Sequence, residues 1–138
     1  MARYCTQSDV EALMSITIDS GFSATLDVWI EAMSRVIDKI TNRSVGFVAS
    51  GSATERSYFG DSTNILLIDD CVSIDSITAG ETDPTTLVEG TDYRVLPLNG
   101  TPKTRVQKIG GRWSKHTIYN VDADWGYASA VPDAIKIA

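Results

Sequence analysis

Leu26–Asn42, with the sequence LDVWIEAMSRVIDKITN, is the stretch that decides the fold of the N-terminal part of this chain. Its apolar residues recur at spacings of three and four, the pattern of a stripe along one side of an α-helix. The opposite side is polar, and Glu31 can pair with Arg35 one turn later. We therefore predict a long amphipathic helix whose stripe needs partners, formed by Leu26, Trp29, Ile30, Met33, Val36, Ile37 and Ile40.

A shorter helix is predicted before it. Ser8 and Glu11 have the spacing of a capping box. We expect this first helix to end within residues 16–19, because Gly21 interrupts the pattern. Thr25 is then the expected N-cap of the long helix, so the two helices form a hairpin whose stripes can face each other.

After the helices, short strand-like runs alternate with turn signals such as Asn99-Gly100 and Gly110-Gly111. No helix-length segment separates these runs, so we predict mostly antiparallel pairing. The run Thr117–Tyr127 alternates most clearly, which places Tyr119, Trp125 and Tyr127 on one core side. The predicted strands are 54–59, 65–68, 72–77, 86–89, 93–98, 105–109 and 117–127.

These elements predict an α+β fold. We expect a mostly antiparallel β-sheet insertion, residues 53–128, to pack with two helical parts. These are an N-terminal helical hairpin, residues 1–45, and a C-terminal helix that starts within residues 131–138. A chain of 138 residues is expected to form a single domain. Two helical turns are too few to be stable alone. The C-terminal helix is therefore expected either to dock tightly or to be the truncated start of a longer one.

Charge is unevenly distributed along the chain. The formal net charge is −6, yet the segment between Asp92 and Asp122 holds six bases and no acid. A net acidic chain does not have the profile of a nucleic-acid binder. Opposite-sign surfaces favour head-to-tail self-association, and a solvated basic hairpin is the alternative. The six bases are Arg94, Lys103, Arg105, Lys108, Arg112 and Lys115.

The sequence contains no recognisable catalytic set. His116 is the single histidine, and with Cys5 and Cys71 it cannot build a zinc site. Asp122 and Asp124 share one face of a strand, where they could hold a metal or act as an acid–base pair, but no third ligand is indicated. We predict no catalytic residue, metal or cofactor. Without a signal peptide or membrane-spanning run, we expect a soluble protein made in the cytoplasm.

Seven segments carry a family resemblance through their order along the chain. They are Tyr4–Val10, Leu26–Arg43, Ile65–Ile77, Asp92–Val95, Gly111–Trp113, Ala123–Tyr127 and Val131–Ile135. Together they resemble the head-to-tail connector, or adaptor, proteins of long-tailed bacteriophages and prophages. In that family the second helix commonly closes on a Gly-Arg pair, and here Asn42-Arg43 stands in its place.

The resemblance implies a non-enzymatic virion protein. It implies a homo-oligomeric ring, a dodecamer, placed in the neck between head and tail after assembly in the host cytoplasm. The ring would lie below the portal protein, join the head to a stopper or tail-completion protein, and pass genomic DNA without sequence-specific binding. The portal-docking candidates are Val131, Pro132, Asp133, Ile135 and Lys136. The subunit-interface or channel-rim candidates are the six bases together with Asp27, Glu31 and Asp38.

Three other functions are compatible with the sequence. A head-closing stopper or a tail-side joining protein would also be an acidic ring former with a β portion. A carbohydrate-binding β module would use Trp113, Trp125, Tyr119 or Tyr127, although Trp113 is better explained as a hairpin anchor than as a stacking platform. An enzyme would depend on Asp122 and Asp124.

Overall fold

The computed structural model describes residues 3–43 and 46–136. It combines helices with an antiparallel sheet, which confirms the α+β class. Contacts divide the chain into two compact units. The helical unit consists of the residues up to Val48 together with those from Ala130 onward, and the β unit is Ala49–Ser129. The parts of the predicted segments at residues 1–2, 44–45 and 137–138 lie outside the described residues.

Helix α1 spans Gln7–Met14, and its capping differs from the prediction. Thr6 is the N-cap: its hydroxyl accepts from the Asp9 N–H at 3.2 Å, and the Asp9 carboxylate accepts from the Thr6 N–H at 2.7 Å. The capping box therefore lies two residues before the predicted Ser8–Glu11 pair. Glu11 instead accepts from the Ile18 N–H at 2.8 Å, so it holds the connection that follows the helix.

Helix α2 spans Ser20–Ile40 and begins six residues before the predicted start. Asp19 is its N-cap and accepts from the Gly21 N–H at 2.7 Å. Gly21 therefore lies in the first turn, and the predictions that it breaks the helix and that Thr25 caps it were wrong. An N-cap acceptor stabilises a helix by about as much as one glycine costs. Helix α3 is a single turn, Asp133–Lys136.

Six strands form one sheet within the described residues. The order is β1-β6-β2-β5-β4, with β3 paired to β2, and every strand pairing is antiparallel, as predicted. The runs predicted as two strands, 65–68 and 72–77, form one strand, because β2 shifts register between Leu67 and Cys71 instead of ending at the intervening acids. The strands are β1 Thr54–Phe59, β2 Ile65–Ala79, β3 Thr85–Leu87, β4 Tyr93–Leu96, β5 Lys103–Lys108 and β6 Ile118–Trp125.

The core of the β unit follows the predicted alternation. Tyr119 and Trp125 of β6 are buried, which confirms the core side of that strand, whereas Tyr127 lies beyond the strand end and is exposed. Trp113 is fully buried, and its indole N–H donates to the Val106 carbonyl at 3.1 Å. It therefore anchors the sheet, and its ring face is not available to stack on a base or a sugar.

Candidate interaction surfaces

A line of partly polar residues attaches α2 to the N-terminal segment. The buried residues of α2 are Ile30, Ser34 and Asp38, one turn apart. The Tyr4 N–H donates to the Ser34 hydroxyl at 3.1 Å, and the Tyr4 hydroxyl donates to the Asp38 carboxylate. The same hydroxyl accepts from the Phe47 N–H at 2.9 Å. Burial, and then the bond to Asp38, raise the pKa of Tyr4 above its ordinary value.

Asp38 was predicted to lie on the outer acidic face of α2, and this was wrong. Arg35 Nη1 lies 2.8 Å from its second carboxylate oxygen, so Asp38 is occupied from both sides. The predicted Glu31–Arg35 pair is replaced, because Glu31 instead lies 3.9 Å from Arg3. Asp27 is 2.8 Å from Arg3. Of the three acidic candidates, Asp27 and Glu31 are at the surface and Asp38 is buried.

The apolar side of α2 is largely exposed. Because α2 starts at Ser20, Phe22 joins the predicted stripe, and a seam runs along the helix with spacings of four, three, four, three and four. We call this set the α2 seam: Phe22, Leu26, Trp29, Met33, Val36 and Ile40. Its members Trp29, Met33 and Ile40 are 56%, 57% and 79% exposed.

The α2 seam is distinct from the buried line of the helix. At 3.6 residues per turn, Ile30, Ser34 and Asp38 lie roughly a quarter to a half turn away from it. The rings of Phe22 and Trp29, two members of the seam, are 5.5 Å apart in edge-to-face geometry. The spacing is that of positions a and d of a heptad repeat, which pack against another helix.

An apolar groove of about 240 Å³ adjoins the seam. Ile135 and Lys136 of α3 line it together with Tyr4 and with Trp29 and Met33 of the seam. Of the portal-docking candidates, Val131, Pro132 and Ile135 are half-buried, while Asp133 and Lys136 are exposed and 3.7 Å apart.

The six bases do not form one patch. Arg94 of β4 is paired with Gln107 of β5, and Arg105 of β5 is paired with Leu96 of β4. Because paired residues and residues two apart share a face, both arginines lie on the outer face of the sheet. The Lys103 ammonium donates to the Pro97 carbonyl at 2.6 Å. Arg112 donates to the Ser62 carbonyl at 3.3 Å, Lys108 lies over the Trp113 ring, and Lys115 is exposed.

One of the bases nevertheless lies in a concave site. Arg94 lines a mainly polar pocket of about 340 Å³ at the end of β5, together with Asn64, Gln107 and the Gly110-Gly111 turn. Lys108 also lines it, but its side chain is on the core side of β5, where its ammonium lies over the Trp113 ring. We call it the β5 pocket. Its side chains offer many hydrogen-bond donors, so it suits an anionic group.

The acids of β6 lie near the opposite edge of the sheet, next to β1. Asp122 and Asp124 flank buried Ala123, which confirms that they share the face opposite the core. Asp124 accepts from the Gly51 N–H at 3.0 Å, and Asp122 lies opposite Glu55 of β1. Among residues 3–43 and 46–136, no three His, Cys, Asp or Glu residues are grouped so that they could hold a metal ion.

Sequence reasoning missed a second cluster, on the core side of β1. Arg56 lies over the Trp125 ring at 4.5 Å and 2.5 Å from the Asp69 carboxylate. The Tyr58 hydroxyl donates to the same carboxylate at 3.0 Å. Burial raises the pKa of Tyr58 to about 12. The available signal was the alternation of β1, which places Arg56 and Tyr58 on one side.

A comparison of the chain with protein-family models, with curated proteins and with solved structures found no match. In the part of the chain that the structure describes, no helix is long and apolar enough to span a membrane.

Proposed function

We propose that this chain is a structural subunit of a ring in the neck of a long-tailed bacteriophage particle, below the portal, where it extends the DNA channel and joins the head to the stopper or tail. The observation that carries the proposal is the exposed α2 seam. The family resemblance of the sequence supports the phage context, and the exposed surfaces support the assembly role.

An exposed heptad seam favours self-assembly on energetic grounds. Fully burying one large apolar side chain contributes roughly 1.5–3 kcal/mol. Exposed contiguous apolar patches typically mark interaction sites. The seam spans most of α2, from Phe22 to Ile40, so a partner helix can bury it over five turns.

The charge distribution supports a ring through which DNA passes. The outer faces at the two edges of the sheet carry charges of opposite sign, which suits the heterologous contacts that generate rings. The net charge of −6 disfavours tight attachment of DNA, because basic contacts to phosphates are what hold a duplex. The half-buried Ile135 lines the groove beside the seam, which supports a docking role for the segment that contains it.

The proposal is tested by sedimentation velocity and electron microscopy of the purified protein, alone and with a candidate portal protein. We expect rings that bind the portal, and we expect Met33→Glu to prevent assembly because it places a charge in the seam. Val28→Glu is the matched control, since Val28 is 65% exposed and lies on another side of α2. A wild-type chain that stays monomeric and never joins a portal would overturn the proposal, and binding to an adaptor ring instead would indicate a stopper.

A further inference from the structure

The sheet of the β unit ends in two edges whose outer faces carry opposite charge. β1 forms one edge and β4 the other, with β6, β2 and β5 between them. Glu55 and Asp122 point away from the core on β1 and β6, and Arg94 points away from the core on β4. A single β unit therefore presents an acidic end and a basic end.

The acidic end carries an uncompensated pair. Glu55 and Asp122 are direct cross-strand partners in the β1–β6 register. Like charges in that position destabilise a sheet. Among the described residues, neither carboxylate has an ion pair or a side-chain hydrogen bond. A cation supplied from outside the chain would remove this repulsion.

The basic end offers the complementary donors. Arg94 has no ion-pair partner among the described residues, and it lines the β5 pocket with Asn64 and Gln107. Arg105 shares the outer face of the sheet with Arg94, whereas the Lys108 ammonium is on the core side, over the Trp113 ring. A planar guanidinium binds a carboxylate through two parallel hydrogen bonds.

We propose that the β5 pocket of one copy binds the Glu55–Asp122 carboxylate pair of a second copy. The contact deepens the proposed function, on which it rests, by naming the two surfaces that meet between neighbouring subunits. It is heterologous, since the two surfaces belong to different strands, and repeating it generates a ring or a filament rather than a closed dimer.

A carboxylate is favoured over a nucleic-acid phosphate as the ligand. Of the six bases, Arg94 lines the pocket from the outer face, Lys108 is turned toward the Trp113 ring, and Lys103 and Arg112 are turned toward carbonyl groups of their own chain. A surface that binds a nucleic-acid backbone needs a track of cations along the strand. One outward guanidinium with polar neighbours suits a single carboxylate pair better than a row of phosphates.

The test is a charge-swap series followed by sedimentation velocity. Arg94→Glu and Glu55→Lys should each weaken self-association at least about tenfold, because like charges then face each other. A chain with both substitutions should regain association. Lys115→Glu is the matched control, since Lys115 is exposed in the same basic segment but does not line the pocket. Far-UV circular dichroism checks the fold, and the milder Arg94→Gln and Asp122→Asn should weaken association in the same direction.

The outcomes separate this inference from the proposed function. If the wild-type chain forms rings and the charge-reversed variants form them equally well, the pocket assignment is wrong and the ring proposal stands. If the wild-type chain does not associate, alone or on a portal, both are wrong. If Arg94→Glu leaves assembly intact but abolishes binding of a fluorescent DNA duplex in an anisotropy titration, the pocket takes a phosphate and the carboxylate assignment is overturned.

Discussion

Replacing Tyr4 with phenylalanine tests the internal link between the N-terminal segment and α2. Tyr4 is 3% exposed, and its hydroxyl both donates to Asp38 and accepts from the Phe47 N–H. The substitution keeps the ring, so it creates almost no cavity. It removes one partner from a buried carboxylate and the acceptor from a buried backbone N–H.

The expected cost follows from these two groups. A buried donor or acceptor that loses its partner costs roughly 1–3 kcal/mol, and more where the group is charged. Asp38 keeps its ion pair with Arg35, which limits the loss at the carboxylate. We therefore expect Tyr4→Phe to lower the free energy of unfolding of the helical unit by about 2–4 kcal/mol.

The measurement is urea unfolding followed by circular dichroism at the helix band, which reports on the helical unit. Tyr58→Phe is the control: its hydroxyl also donates to a carboxylate and accepts from a backbone N–H, but both groups belong to exposed Asp69, where water can substitute. It should therefore cost less than about 1 kcal/mol. A double-mutant cycle with Asp38→Asn isolates the pairwise contribution. Equal losses in Tyr4→Phe and Tyr58→Phe would refute the argument that burial of the Tyr4 hydroxyl determines its cost.

The pH dependence of stability gives an independent check on Tyr4. Its pKa in the folded state is raised, mainly by burial, so the folded state holds this proton more tightly than the unfolded state. The contribution of the protonated Tyr4 hydroxyl to the free energy of unfolding is complete below the unfolded-state pKa of about 10. It is lost as the pH rises through the folded-state pKa. Tyr4→Phe should therefore show a smaller loss of stability above pH about 10 than the wild-type chain.

Three further predictions concern the β unit. Trp113→Ala should cost about 3–5 kcal/mol, because it empties the largest fully buried site, and urea unfolding followed by the fluorescence of the remaining tryptophans measures it. Gly60→Ala should reduce the melting temperature strongly, since its Cβ would lie 2.1 Å from the Ser114 carbonyl oxygen, whereas Gly111→Ala, whose nearest neighbour is 3.9 Å away, should melt near the wild-type temperature. Cys71 is fully buried and its pKa is raised to about 11, so iodoacetamide at pH 8 should modify it only after unfolding, as peptide mass spectrometry would show.

The β unit was the more predictable part of the fold. Strand alternation identified the core side of β6 and the bounds of β1, because a period of two is set by local geometry and by burial of one face. β2 was predicted as two strands because Asp69 and Asp70 interrupt the apolar run. The register shift at that point lets the strand continue past both acids, and only the pairing with β5 reveals it.

The helical unit shows where local rules were insufficient. Several residues that can act as an N-cap lie within a few positions of the start of α1 and of α2. Ser8 and Thr25 were therefore predicted as caps, whereas Thr6 and Asp19 are the N-caps in the structure. The burial of Asp38 depends on Tyr4, which is 34 residues away in sequence. Periodicity alone places such an aspartate on the solvent side.

For the candidate surfaces, the sequence predicted charge segregation but not which base faces outward in the pocket. Lys103 and Arg112 are oriented by carbonyl groups in neighbouring loops and Lys108 by the Trp113 ring, whereas Arg94 faces outward in the β5 pocket. That difference depends on the β4–β5 register and on the turn after β5. The ring, its stoichiometry and its neighbours stay predictions.

The separation of the α2 seam from the buried line on the same helix has a consequence for how this sequence can evolve. Tyr4, Ser34 and Asp38 are joined by directional hydrogen bonds, so a change at one of them requires matching changes at the others. The seam residues need only stay apolar and similar in volume. In homologous chains, Tyr4, Ser34 and Asp38 should therefore vary together. The seam residues should exchange among apolar residues, together with the residues of the surface that covers them.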